Sequence, residues 1–119
     1  MKISKHYSRH EFACACGCGF DPVDIELIDI LELIREHYNQ PVFINSAARC
    51  QEYNRSIGSK DSSQHTKGKA ADIYLDKVNL NSVRNFIDRL NPERFGLGIY
   101  NDFLHIDVRN SKARWDKRS

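Results

Sequence analysis

The segment from Ser63 to Asp72, SQHTKGKAAD, restricts the fold of this chain more than any other feature. Asp72 lies within an alternating apolar pattern that predicts a strand. A carboxylate buried in such a strand is costly unless a partner compensates its charge. Two histidines are available as partners: His65, seven residues earlier, and His105, inside a later strand-like run.

Gly68 makes a tight turn possible between His65 and Asp72, because glycine adopts backbone conformations that other residues avoid. Such a turn would bring His65 back toward Asp72. Two imidazoles and one carboxylate suit a catalytic zinc ion, which keeps a fourth position open. The alternative is that Asp72 and His105 form a buried pair that satisfies itself and binds no metal.

A length of 119 residues fits one small domain, which we expect to span residues 1–119 as a monomer. The net charge of +2 is too small to indicate binding of nucleic acid. The basic segment 110–119 is expected to be a solvated tail, or else an aid in holding an anionic surface such as a bacterial cell wall. The sequence has no membrane-spanning run and no signal-peptide pattern, so we expect synthesis in the cytoplasm without membrane insertion.

Apolar residues at helical spacing predict helices over residues 22–39 and 82–90. Residues 50–57, which are followed by Gly58, are expected to form a further short helix. Asp21 and Asn81 are the expected N-caps of the two longer helices. Short or alternating apolar runs predict strands over residues 42–44, 70–75, 96–100 and 103–108. We therefore predict an α+β fold, in which helices pack on one side of a small antiparallel sheet.

Three cysteines, Cys14, Cys16 and Cys18, crowd together, whereas Cys50 stands alone. Their spacing differs from the two-residue gap of zinc ribbons. A disulfide framework is not the default for a chain without a signal peptide. We expect free, partly buried thiols, with a second metal site or a disulfide to Cys50 as the alternatives.

The pattern Ser-x-His-x-x-Gly-x-Ala-x-Asp over residues 63–72, followed by His105, resembles the signature of zinc-dependent D-alanyl-D-alanine carboxypeptidases and related phage endolysins. Those peptidases share their fold with the hedgehog signalling domain, so the resemblance implies that fold here. The resemblance runs from about residue 8 to residue 115. It includes the segments NSAARC at 45–50, GLGIY at 96–100 and HIDVR at 105–109.

The resemblance implies that His65, Asp72 and His105 bind one catalytic zinc ion, which is used to hydrolyse a peptide bond. Two aspartates are candidates for the general base that moves the proton. Asp102 matches the acid-x-x-His arrangement of well-known members, and Asp107 matches a His-x-Asp arrangement of shorter relatives. The aspartate that is not the base would orient a ligand histidine.

Arg49 matches the arginine of the family's Ser-x-x-Arg segment. It is expected to bind a substrate carboxylate or to stabilise the developing oxyanion, with a structural salt bridge as the alternative. Ser63 is expected to support the loop or to contact the substrate. Ala47 and Ala48 replace the Gly-Tyr or Gly-Phe of many members, so the shape of that pocket is not carried over.

The leading hypothesis is a zinc peptidase that cuts peptidoglycan stem peptides, as a DD-carboxypeptidase or an endopeptidase. A phage or prophage endolysin, made in the cytoplasm and released to the cell wall through a holin pore, would fit the missing signal peptide. The alternatives are a non-catalytic zinc-stabilised binding or assembly domain of the same fold, and a metal-free domain. Two candidate bases near His105 favour the enzyme.

Overall fold

An α+β fold follows from the two hydrophobic periods of the sequence, and the computed structural model, which describes residues 2–119, confirms it. The helices are α1 (Ile25–Tyr38), α2 (Gln51–Ser56) and α3 (Leu80–Leu90). The strands are β1 (Phe43–Ser46), β2 (Ala70–Tyr74), β3 (Gly96–Ile99), β4 (Leu104–Asp107) and β5 (Ala113–Asp116). Within residues 2–119, none of the helices has both the length and the apolar character needed to cross a membrane.

The five strands form one sheet in the order β1-β2-β4-β3-β5. All neighbours are antiparallel except β3 and β5, which run parallel. Asp72 pairs with His105, which pairs with Gly98, so these residues share one face of the sheet. The next residues along the strands, Ala71 and Ile106, form a pair on the opposite, apolar face.

The apolar face of the sheet shares one hydrophobic core with α1 and α3. The predicted apolar spacing of the two helices is confirmed except at Leu90, the last residue of α3, which is exposed. In this core the helices bury Leu27, Ile28, Ile30, Leu31, Ile34, Val83 and Ile87. Because the helices occupy the apolar face, the face that carries Asp72 and His105 remains available for polar chemistry.

Helix α1 begins later than predicted, because Asp24 and not Asp21 is its N-cap. Oδ1 of Asp24 accepts a hydrogen bond of 2.8 Å from the backbone N–H of Glu26. The backbone N–H of Asp24 donates to the carbonyl oxygen of Gly68, also at 2.8 Å. This bond holds the segment before the helix in an extended path and ties it to the loop that carries His65.

Helix α3 begins earlier than predicted, because Asn79 and not Asn81 is its N-cap. Asn79 has extended backbone angles, and its Oδ1 accepts a hydrogen bond of 2.7 Å from the backbone N–H of Asn81. Asparagine is a favoured N-cap at either position, and the backbone geometry selects the first.

The C-terminal segment 110–119 is not entirely the solvated tail that the sequence suggests, since four of its residues form β5. Gly98 on β3 pairs with Trp115 on β5. The backbone N–H of Lys117 donates to the carbonyl oxygen of Ile99 at 2.8 Å. Strand β5 thereby covers the β3 edge of the sheet, and the basic side chains of Lys112 and Arg118 stay exposed.

The substitution Gly98→Ala is expected to destabilise the fold by about 1–3 kcal/mol, because it overpacks the contact between β3 and β5. An added Cβ atom would overlap Cε2 and Nε1 of Trp115. Urea denaturation followed by fluorescence reports on this contact directly, since Trp115 is the only tryptophan. The same change in a Trp115→Phe background, followed by circular dichroism, should cost less. An unchanged midpoint and emission for Gly98→Ala would contradict the prediction.

Candidate metal centre

His65 reaches the sheet because the chain folds back in a single 3₁₀ turn, Gln64–Lys67. The Oγ atom of Ser63 accepts from the backbone N–H of His65 at 3.2 Å, and Gly68 ends the turn with a φ of 70°. A Cβ atom at Gly68 would lie 2.6 Å from the carbonyl oxygen of Pro22. Both the conformation and the close approach require glycine, which confirms the tight turn expected there.

Asp72 and His105 are cross-strand neighbours on β2 and β4. Oδ1 of Asp72 lies 2.9 Å from Nδ1 of His105 and 3.2 Å from Nε2 of His65. The exposed fractions of His65, Asp72 and His105 are 2%, 7% and 8%. One carboxylate oxygen therefore lies between two imidazole nitrogens in surroundings where electrostatic interactions are strong.

In each histidine ring, the outer nitrogen, which faces away from Asp72, lies within hydrogen-bonding distance of an acceptor. Nδ1 of His65 lies 2.7 Å from the carbonyl oxygen of Ala47, so this nitrogen carries the proton. Nε2 of His105 lies 2.8 Å from Oδ2 of Asp107 and Nδ1 lies 2.9 Å from Oδ1 of Asp72, so both nitrogens of this ring face a carboxylate oxygen. When a neutral His105 carries its proton on Nε2, as ligation of a metal through Nδ1 requires, both histidines present a lone pair to Asp72.

Three electron-rich atoms thus meet at one point, and they repel one another unless a cation lies between them. A proton or a divalent metal ion supplies the missing charge. The donor atoms of His65, Asp72 and His105 all lie within 4.8 Å of one another. Two imidazoles and a carboxylate are a usual donor set for zinc with one position open. The residues therefore fit a zinc ion.

The pKa values of Asp72 and His105 reflect the same need for positive charge. Burial by itself would raise the pKa of Asp72, but hydrogen bonds with His105 and His65 hold this pKa well below its usual range. Burial by itself would lower the pKa of His105, but Asp107 and Asp72 raise it overall. Asp72 is therefore ionised at neutral pH, as a metal ligand must be.

Asp107 lies at the outer end of the His105 ring and is fully buried. Its Oδ1 accepts from the backbone N–H of Gly96 at 3.1 Å and from Nε of Arg109 at 2.7 Å. Its Oδ2 accepts from Nη2 of Arg109, also at 2.7 Å. Both oxygens are occupied, and the arrangement resembles the carboxylate–histidine pairs that orient metal ligands.

Asp102 lies in the turn between β3 and β4 and is exposed. The turn is closed by a hydrogen bond of 3.0 Å from the backbone N–H of Tyr100 to the carbonyl oxygen of Phe103. Tyr100 and Phe103 line the cleft above the histidines, whereas Asp102 does not. The fold brings Asp102 beside the cleft and not into contact with the candidate ligands.

Arg49 extends its guanidinium to the metal centre. Its Nη2 atom lies 3.3 Å from Oδ2 of Asp72, and its Nε atom donates to Oγ of Ser46 at 3.1 Å. Nη1 donates to Oδ1 of the fully buried Asn54 at 3.3 Å. The guanidinium is thereby fixed next to a candidate ligand while still lining the cleft.

The metal centre opens into a cleft of about 710 Å³. Ser63 lines this cleft, as do four cationic side chains, which are those of Arg49, Lys60, Arg109 and Lys117. Among the lining residues in the described part of the chain, Asp72 is the only carboxylate. The cleft therefore favours ligands that carry negative charge.

Sequence reasoning missed Arg109, Asn54 and Lys60. The place of Arg109 could have been predicted from the sequence, because it follows His105 and Asp107 at the two-residue spacing of one strand face. Asn54 and Lys60 had none, since only the packing of α2 and the following loop brings them to the cleft. Nδ2 of Asn54 donates to the carbonyl oxygen of Lys60 at 2.8 Å, which holds that loop.

The chain matches the Peptidase M15 family over residues 5–107. The match covers most of the chain, so the protein belongs to this family of zinc-dependent peptidases. No curated protein matches the chain. Fold, donor set and family together define the class as a zinc metallopeptidase.

The substitution Asp107→Asn is expected to lower the affinity of this centre for zinc about 10–100-fold. A neutral amide cannot accept hydrogen bonds at both of its ends, so the ring of His105 loses its fixed orientation. Competition with a chromophoric chelator measures the affinity. The matched variant Asp102→Asn should bind zinc as the wild type does. Equal affinities for the two folded variants would show that Asp107 does not support the ligand.

Proposed function

We propose that this protein is a zinc peptidase that hydrolyses a peptide bond in the stem peptides of peptidoglycan, as a DD-carboxypeptidase or an endopeptidase. One observation carries the proposal: the buried group of His65, Asp72 and His105 opens into a cleft with cationic walls. Membership of the Peptidase M15 family supports the reaction. The charge of the cleft supports the class of substrate.

Peptidoglycan stem peptides carry free carboxylates on their acidic residues and at their chain ends. In the cleft these carboxylates would meet the cationic side chains of Arg49, Lys60 and, from the C-terminal segment, Lys117. Tyr100, Phe103 and Trp115 add aromatic surface for the apolar parts of a short peptide. The cationic side chains of the cleft favour a small acidic peptide over an apolar one.

In this proposal His65, Asp72 and His105 hold zinc, which when bound polarises a carbonyl group and lowers the pKa of water to about 7. The Arg49 guanidinium orients a substrate oxygen and stabilises the negative charge that develops on it. Asp107 keeps the ring of His105 in the orientation that ligation needs.

Asp102 is proposed to take the proton from water and deliver it to the leaving amine. Asp107 is less suited to this role, because it is fully buried and accepts hydrogen bonds at both oxygens. Asp102 is exposed and lies between Tyr100 and Phe103, which both line the cleft. A peptide in the cleft would therefore lie beside the turn that carries this carboxylate.

The biological setting we propose is lysis or remodelling of a bacterial cell wall, as for a phage or prophage endolysin. The resemblance of the His–Asp signature implies this setting. The exposed basic side chains of Lys112 and Lys117 support it, because they suit attachment to an anionic wall next to the cleft.

Incubation of purified peptidoglycan with the zinc-loaded wild type should release fragments with new chain ends, identified by mass spectrometry. At saturating zinc, Asp102→Asn should lower kcat about 10²–10⁴-fold without loss of the metal. His65→Ala should lose activity together with zinc at this centre. An active Asp102→Asn variant beside an inactive Asp107→Asn variant would assign the base to Asp107 instead.

A second candidate function is a zinc-stabilised module that binds cell-wall peptides without cutting them. It is favoured by the fact that Asp72, a candidate ligand, is the only carboxylate lining the cleft within residues 2–119. Sedimentation with insoluble peptidoglycan separates the two functions. Retention of the wild type without release of any fragment would support the binding module.

Arg49→Lys is expected to lower kcat/KM about 10–150-fold, which corresponds to a loss of about 1.5–3 kcal/mol of transition-state stabilisation. An ammonium group cannot contact Ser46, Asn54 and a substrate oxygen with the fixed planar geometry of a guanidinium. Steady-state kinetics on a soluble stem peptide measures the change. Arg89→Lys is the matched control, since Arg89 is exposed on α3 and does not line the cleft. Equal losses in both variants would contradict a role for Arg49 in the site.

A further inference from the structure

Four cysteines from two distant segments meet at one point that the proposed catalysis does not use. The Sγ atom of Cys14 lies 3.4 Å from that of Cys16 and 3.9 Å from that of Cys50. The Sγ atoms of Cys16 and Cys50 are 3.7 Å apart. Cys18 completes the group, in which all four sulfur atoms lie within 4.8 Å of one another.

These distances match a tetrahedral thiolate site better than a disulfide. Four sulfurs that each lie about 2.3 Å from a central zinc ion are separated from one another by about 3.8 Å. A disulfide joins two sulfurs at about 2.05 Å and leaves the others apart. Here three sulfurs are nearly equidistant, so the geometry selects no pair.

The backbone of residues 14–20 forms a compact loop that turns its cysteines toward one point. The backbone N–H of Gly17 donates to the carbonyl oxygen of Cys14 at 3.1 Å, and the backbone N–H of Cys14 donates to the carbonyl oxygen of Phe20 at 2.8 Å. Gly17 and Gly19 have φ values of 82° and 90°, which other residues rarely adopt. This loop conformation allows three cysteines with one-residue spacing to face the same metal ion.

The sulfur atoms also accept backbone hydrogen bonds, as metal-bound thiolates do. The backbone N–H of Cys50 donates to Sγ of Cys14 at 3.5 Å. The backbone N–H of Tyr53 donates to Sγ of Cys50 at 3.4 Å. Such outer hydrogen bonds orient ligands and offset their negative charge.

We propose that Cys14, Cys16, Cys18 and Cys50 bind a second zinc ion in a closed structural site. Four protein ligands leave no position for water or substrate, so the ion has no part in hydrolysis. Its donors are thiolates, whereas those of the catalytic centre are nitrogen and oxygen. The two sites are therefore distinguishable by their chemistry.

The second zinc site would also fix the position of the segment that precedes Cys50. Arg49 is the adjacent residue, and its backbone N–H donates to the carbonyl oxygen of His65 at 3.0 Å. The backbone N–H of Ala48 donates to the carbonyl oxygen of Phe12 at 3.0 Å. Zinc bound by the cysteines would clamp this segment to the N-terminal loop and hold Arg49 at the cleft.

Zinc content per folded chain tests the proposal. Wild type purified under reducing conditions should hold about two zinc ions, and His65→Ala about one. Cys16→Ser and Cys18→Ser should also hold about one, with the ion at His65 retained. Ala15→Ser, a matched change inside the same loop, should keep about two.

A second measurement does not depend on the folding of the cysteine variants. In His65→Ala loaded with cobalt(II), a tetrahedral thiolate site should give strong sulfur-to-metal charge-transfer absorption, and a thiol-specific mercurial should release the ion. A cobalt spectrum without thiolate bands would overturn the proposal. So would an intact mass lower by two hydrogens, which indicates a disulfide, or four freely reactive thiols at unchanged zinc content. None of these outcomes concerns the His65 centre. The proposal of a cysteine zinc site can therefore be wrong while the proposed peptidase function still holds.

Discussion

The position of Asp72 between two imidazoles is the constraint on which the rest of this structure depends. A carboxylate buried on a central strand is tolerated only where neighbouring groups compensate its charge. The register of β2 against β4 supplies His105, and the turn ended by Gly68 supplies His65. A slip of the register by one residue would turn Asp72 into the apolar core, so fold and site stabilise the same pairing.

The groups around this centre are organised in successive layers. Ala47 and Asp107 hold the outer nitrogens of the two rings, and Arg109 in turn holds Asp107. The segment from Ala47 to Cys50 joins these layers, because it contacts His65, carries Arg49 and ends at the cysteine cluster. The position of the Arg49 guanidinium beside Asp72 thus depends on a segment that is tied to the cysteine cluster.

Much of the fold was accessible from local patterns. The apolar stripe of α1 and the alternation in β2 depend on short-range periodicity, and both are found in the structure. The sequence predictions are wrong where two residues or two conformations fit the local pattern equally well. Asp24 caps α1 in place of Asp21 because a backbone bond to Gly68 holds the preceding segment extended. Strand β5 was missed because its basic residues resemble a tail until the β3 edge is available for pairing.

The sequence by itself determined the donor types, the glycine turn that returns His65 to Asp72, and the family signature, since each depends on residues at fixed spacing. Only the tertiary structure decided which aspartate supports His105, where Arg49 lies, and that four cysteines meet. These features join residues far apart in the chain, such as Cys14 and Cys50. Their contacts depend on how the helices and the sheet pack, which no local pattern encodes.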